Sequence, residues 1–175
     1  MSIQLRALAG AAILALSLTA CGGGGSDEAA PEDSALVETK TQEAEVKTGF
    51  DAPKTTADGL TFTLSAPASF TPGDFATGLL DGQLNESFTI KVENTGTADA
   101  DLSTVIVSAT TAAGMCTDIF DGDNNIMGAP VEPVAAGATT EFVWALSCPG
   151  ASGDEISVVL SNQGTAVIEV TGTLS

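Results

Sequence analysis

The sequence predicts an all-β protein, and two patterns and one absence support that prediction. From residue 59 onward, apolar and polar residues alternate in short runs, as at Leu60, Phe62 and Leu64. Such alternation places one face of a strand against a core and the other in water. Clusters of Gly, Asp, Asn and Pro separate the runs, which is typical of turns between strands. No stretch of 59–175 has the 3.6-residue period of an amphipathic helix.

The apolar runs define the predicted strands in order. Alternation predicts half-buried strands at 60–64, 88–92, 142–146, 156–160 and 168–170. Two stretches that are apolar on both faces predict strands at 102–109 and 115–120 that are either more deeply buried or run from an edge into the core. Strands this short and numerous favour one immunoglobulin-like antiparallel β-sandwich over residues 59–175. A small closed barrel is the alternative that the same pattern permits.

The first twenty residues have the layout of an export signal. Arg6 precedes an uncharged apolar run at 7–18, which is too short to span a membrane but typical of a signal peptide. Leu18-Thr19-Ala20-Cys21 then resembles the bacterial lipobox. That resemblance implies cleavage after residue 20 and a diacylglyceryl group on Cys21. The alternatives are a secreted protein with a free cysteine near its N-terminus, or an N-terminal anchor helix.

A lipid on Cys21 would hold the protein on the outer, extracytoplasmic face of the cell membrane, because two acyl chains anchor far more firmly than one. Residues 21–58 are rich in Gly, Ala, Glu, Asp, Thr and Pro. A segment of this composition buries too little apolar surface to fold by itself. We therefore expect residues 21–58 to form a flexible acidic tether between the lipid and the folded domain.

Three cysteines leave an odd one in an exported chain. Lipidation of Cys21 would remove it from the count, and Cys116 and Cys148 would then be free to pair in an oxidising compartment. The alternative is two reduced, buried thiols. Trp144 lies just before Cys148 rather than soon after the first cysteine, so the pattern is not that of an antibody domain.

Charge and composition exclude several classes of function. The chain from Cys21 onward carries 4 basic against 23 acidic residues, a net charge of −19. Binding to nucleic acid needs Lys and Arg to meet phosphate, so it is not expected. The sequence has no His and no Tyr, and its one Arg lies in the signal segment, which removes most catalytic arrangements. The sequence therefore predicts a protein that is not an enzyme.

One loop resembles a metal-binding pattern. Asp121, Asp123 and Asn125 occupy positions 1, 3 and 5, and Glu132 occupies position 12, of the calcium-loop spacing. Ile126 stands where that pattern requires Gly, and no helices flank the loop. The alternative is a tight hairpin turn, because Asp-Gly followed by Asp-Asn-Asn strongly favours turns. No cofactor other than calcium is predicted.

Two short segments resemble a known group of proteins. KVENTGTADADLS (91–103) and PVAAGATTEFVWAL (133–146) are similar to segments of bacterial lipoproteins that carry an immunoglobulin-like domain of unknown function. That group is related to a mycobacterial secreted immunogenic protein. The resemblance implies a β-sandwich on a lipid tether and brings no catalytic residues.

These observations together predict a membrane-anchored surface lipoprotein. Its domain is expected to act as a non-catalytic binding module for a protein or a small molecule. The alternative is a structural or calcium-stabilised component of the cell envelope without a discrete ligand.

Overall fold

The computed structural model describes residues 49–175, which form an all-β structure of two antiparallel sheets. The first sheet contains β1 (Lys54–Thr55), β2 (Leu60–Leu64), β3 (Ala68–Ser69), β4 (Leu84–Asn94), β7 (Thr117–Ile119) and β8 (Thr139–Cys148). The second sheet contains β5 (Ile106–Thr111), β6 (Gly114–Met115), β9 (Glu155–Asn162) and β10 (Thr165–Thr173). The residues that the structure describes include no helix long and apolar enough to cross a membrane.

The strand order is that of an immunoglobulin-like sandwich. The first sheet runs β1-β2-β4-β8-β7, with β3 also pairing with β4, and the second runs β10-β9-β5-β6. If β2 is strand A, these orders correspond to A-B-E-D and G-F-C of the immunoglobulin fold, with β6 added beside C. The predicted fold class is therefore confirmed, and two sheets replace the alternative of a closed barrel.

The main core lies between the two sheets. Alternate residues of each long strand point inward, and their side chains are almost completely buried; they include Phe62, Phe88, Ile90, Trp144, Leu146, Val158, Leu160 and Ile168. The alternation read from the sequence is thus the alternation between core and solvent.

The folded domain begins before the predicted end of the tether. Phe50 stacks on Phe88, with ring centroids 6.5 Å apart. It also packs so closely over Gly172 that a Cβ there would lie 2.4 Å from the Phe50 ring. Residues 54–55 pair with β2. Residues 49–58, assigned to the tether from their composition, are thus part of the sandwich; Cys21 lies outside the described residues.

Two predicted strands have different limits in the structure. Leu102 and Val105 are buried, but a turn closed by the Val105 N–H and the Leu102 carbonyl holds them, and the strand begins only at Ile106. The predicted strand 115–120 is divided at Cys116, where the chain passes from the second sheet to the first. Cys116 is bonded there to Cys148 at the end of β8, so the predicted disulfide is present.

Candidate interaction surface

The acidic loop that follows β7 forms a tight turn. Asp121 and Ile126 form an antiparallel bridge with two backbone hydrogen bonds of 2.8 and 2.9 Å. Residues 122–125 make the turn between them, and Asn125 has a positive φ of 55°. Asn tolerates this left-handed conformation better than most residues. The hairpin turn, which the sequence analysis set against a calcium loop, is therefore the observed structure.

Asp121 is the anchor of this turn. Its side chain is 1% exposed, and both carboxylate oxygens accept hydrogen bonds from N–H groups. The donors are the backbone N–H groups of Gly73 (2.7 Å), Asp123 (3.1 Å) and Asn124 (3.3 Å) and the side-chain amide of Asn124 (2.7 Å). The bonds from Gly73 and from the Asn124 side chain hold the pKa of the Asp121 carboxyl below its ordinary value, because they stabilise the ionised form.

The calcium hypothesis gains no support from this geometry. The oxygens of Asp121 that would face an ion are engaged by N–H donors, and Glu132 is exposed beyond the turn. Within residues 49–175, no three Asp, Glu or Cys side chains come together as ligands of a metal ion. Binding of calcium by Asp121, Asp123, Asn125 and Glu132 therefore remains a prediction from spacing alone.

A second segment, residues 70–83, is joined to this turn. Thr77 and Phe120 form an antiparallel bridge, and Leu80 donates a backbone hydrogen bond to the Ser147 hydroxyl on β8. Gly78 lies between these two contacts with a φ of +86°, and a Cβ there would come within 1.9 Å of the Asp118 carbonyl oxygen. The backbones therefore approach so closely that only Gly fits. We call residues 70–83 and 117–128 the Asp121 segments.

The Asp121 segments enclose a second, smaller core on the outer face of the first sheet. Ile119, Ile126 and Ala145 are buried there, and Phe70, Ala76 and Val143 pack against them. This covering explains why the C-terminal half of β8 is buried on both faces. The two segments are thus fixed to the sheet by apolar packing as well as by hydrogen bonds.

Large apolar side chains nevertheless remain in water on the same segments. Phe75 is 85% exposed and Met127 is 66% exposed. We define the apolar loop surface as the five exposed large side chains of the Asp121 segments: Phe75, Leu79, Leu80, Phe120 and Met127. Several exposed apolar groups on joined segments mark interaction sites more often than single ones do.

The sequence analysis did not identify this surface. Its signal is the stretch 72–83, in which Phe75, Leu79 and Leu80 stand among Pro, Gly and Asp rather than in an alternating strand. Apolar residues in a turn-rich segment have no predicted core to enter. That pattern, rather than the acidic spacing, indicates large apolar side chains that stay exposed.

A different buried polar residue holds the loop that follows β4 and the loop that precedes β8. The Asn94 side-chain amide donates to the carbonyl oxygens of Ala98 and Val134, each at 2.8 Å, and its oxygen accepts from the Gly96 N–H at 3.0 Å. We call residues 94–100 and 134–138 the Asn94 segments. They carry no large exposed apolar side chain.

Comparisons with known proteins identify a fold rather than a family. No known protein family and no curated protein matches the sequence. A Bacillus subtilis protein assigned as a lipoprotein, YcdA, has a similar structure, with a TM-score of 0.51 and 14% identity over 73% of this chain and 39% of its own. This chain therefore spans well under half of YcdA.

Two other solved structures are similar over almost their whole length. The secreted protein MPT63 of Mycobacterium tuberculosis has a TM-score of 0.51 and 15% identity, covering 71% of this chain and 95% of its own. The YjhA protein of Bacillus subtilis has a TM-score of 0.50 and 11% identity, covering 73% and 100%. Identities this low establish a shared β-sandwich, so the predicted resemblance is supported in fold and not in sequence.

Proposed function

We propose that this protein is a bacterial surface lipoprotein, held on the outer face of the cell membrane by a lipid on Cys21. Its β-sandwich is proposed to be a non-catalytic binding module. The binding role depends mainly on one observation, which is that fixed loops expose five large apolar side chains. Loops held on a rigid sheet are a common location for binding residues.

The anchor depends on the sequence of residues 1–21, and two further observations support it. A disulfide such as Cys116–Cys148 is typical of proteins outside the cytosol. Among the proteins of similar fold, one is assigned as a lipoprotein and another is secreted. The absence of His from the sequence supports a non-catalytic role.

Cell fractionation tests the anchor. The wild-type chain is expected in the membrane fraction. The Cys21→Ala chain is expected outside that fraction, because it cannot form the thioether to the lipid. Ser26→Ala, which lies just beyond the proposed cleavage point, is the matched control and should stay with the membrane. A Cys21→Ala chain that remains membrane-bound would contradict lipid anchoring.

Crosslinking in intact cells, followed by mass spectrometry, tests the binding role. A binding module should yield the same crosslinked partner in repeated experiments. Repeated recovery of the uncrosslinked chain alone would instead favour a structural role in the envelope.

A further inference from the structure

The apolar loop surface has a charge that restricts what can cover it. The Asp121 segments contain five Asp residues and no Lys or Arg: Asp74, Asp81, Asp118, Asp121 and Asp123. Asp74, Asp81 and Asp123 are exposed on the same segments as the apolar side chains. An occupant would therefore have to bring apolar groups and positive charge together.

A second copy of the chain does not meet this requirement. Residues 49–175 carry 2 Lys and 16 acidic residues, a net charge of −14. Pairing two such surfaces would place the Asp residues of both copies at one contact with no Lys or Arg between them. Like charges placed in this way cost several kcal/mol.

The N-terminal part of the same chain also lacks the required charge. Residues 21–48 carry Lys40 and Lys47 against 7 acidic residues, a net charge of −5. Anionic lipid headgroups and nucleic acid are repelled for the same reason. Charge complementarity therefore points to a different molecule.

The surface is also held in shape before any partner arrives. The Thr77–Phe120 bridge, the Gly78 contact and the Gly73–Asp121 hydrogen bond join the two segments, and the Leu80–Ser147 hydrogen bond holds the first segment to β8. A binding surface that is already ordered loses less entropy on association. Exposed Phe and Met on such a surface are suited to bind apolar side chains of a partner.

We infer that the apolar loop surface binds a cationic amphipathic polypeptide segment of another molecule. The partner's apolar side chains pack on Phe75, Phe120 and Met127, and its Lys and Arg residues face Asp74, Asp81 and Asp123. This inference depends on the proposed binding role, and it names the class of partner and the surface that receives it.

A binding assay with designed peptides tests the chemistry. The protein is the chain from residue 21 with Cys21→Ser, and the probe is a labelled helical peptide of about five turns with Leu on one face and Lys on the other. Measurement by fluorescence anisotropy at physiological salt limits unspecific attraction. Phe75→Ser combined with Met127→Ser should raise Kd about tenfold or more, as the loss of central apolar contacts does.

Matched variants separate this surface from the general acidity of the domain. Ile106 is 53% exposed on the second sheet, so Ile106→Ser should leave Kd within about twofold. Asp74→Asn should weaken peptide binding more than the control Asp99→Asn does, because Asp99 lies in the Asn94 segments, away from the apolar side chains. Phe75→Lys should weaken binding at least as much, because it removes an apolar contact and places a positive charge against a cationic partner.

Three results would overturn the inference. The first is equal binding of a scrambled Leu–Lys peptide, which would indicate attraction without an apolar site. The second is equal binding of a peptide with Glu in place of Lys. The third is an unchanged Kd in the Phe75→Ser, Met127→Ser chain.

Crosslinking in cells separates failure of the inference from failure of the binding role. A photoreactive residue at position 75 should attach to a Lys- or Arg-rich segment of a partner, whereas one at position 106 should not. Attachment from position 106 alone, or from position 75 to an acidic segment, would overturn the inference and leave a binding role. No attachment from either position would contradict both.

Discussion

The Asn94 segments and the Asp121 segments are held by opposite hydrogen-bonding chemistry. The Asn94 amide donates to two carbonyl oxygens, whereas the Asp121 carboxylate accepts from N–H groups alone. An amide supplies donors that a carboxylate lacks, so neither residue can replace the other without leaving a partner unsatisfied. Both anchors fix a loop, but only the Asp121 segments also expose large apolar side chains. The difference indicates that one loop system serves the fold while the other also offers a surface.

Gly78→Ala should cause the largest loss of stability among the variants that compare these two loop systems. The new Cβ would meet the Asp118 carbonyl at 1.9 Å and the residue would keep a φ of +86°. Backbone strain and overpacking together should cost about 3–5 kcal/mol of unfolding free energy. The control is Gly137→Ala in the Asn94 segments, where φ is +77° and no atom lies within 4 Å, so only about 1–2 kcal/mol is expected. Equal losses in denaturant unfolding would contradict the close contact at Gly78.

Removing the disulfide should cause the next largest loss of stability. The bond joins residues 32 apart in sequence, and its loss through Cys116→Ser with Cys148→Ser should cost about 3–4 kcal/mol in the chain-entropy account. Since Cys116 directly precedes β7, hydrogen exchange should rise more in the Asp121 segments than in the Asn94 segments. Uniform exchange throughout the domain would show that the bond does not act locally.

Asn94→Asp should disrupt only the Asn94 segments. At neutral pH it places a carboxylate against the carbonyl oxygens of Ala98 and Val134, where both now receive a hydrogen bond. The loss should be about 2–3 kcal/mol, because two hydrogen bonds are lost and a buried carboxylate then faces carbonyl oxygens, although the Val134 carbonyl keeps its bond from the Ala100 N–H. The peptide affinity of the apolar loop surface should stay unchanged. A parallel loss of affinity would show that the two loop systems are coupled.

Asp121→Asn should give the smallest effect, and that effect should decrease in acid. The pKa of the Asp121 carboxyl is lowered in the folded state, so its contribution to stability is complete above the ordinary Asp pKa of about 3.9 and is lost as pH falls through the lower folded value. The gap in melting temperature between wild type and Asp121→Asn should therefore be present at pH 7 and shrink below about pH 4.

Asn94→Ala provides the control for this pH dependence. Asn does not titrate, so its gap in melting temperature should not follow the same acid transition. A gap for Asp121→Asn that stays constant from neutral pH to about pH 3 would contradict the role of Asp121 as an ionised anchor.

The strands were predictable because a half-buried strand must alternate, as Leu60, Phe62 and Leu64 do. The disulfide was predictable from the cysteine count once Cys21 was assigned to a lipid. The apolar loop surface was not predictable in the same way, because Phe75 and Met127 are far apart in sequence. The role of Phe50 was missed because the acidic, Thr-rich composition of its segment predicted a tether. The single aromatic residue in that segment nevertheless packs against the core.

The sequence by itself determined that the chain forms short β-strands and that its cysteines at 116 and 148 are available to pair, since strand period and residue chemistry are local properties. Only the tertiary structure decided what the acidic loop does. It brought Gly73, 48 residues away, to the Asp121 carboxylate, which anchors the turn through hydrogen bonds. The sequence shows which carboxylate and amide groups are available, and the fold determines which groups they contact.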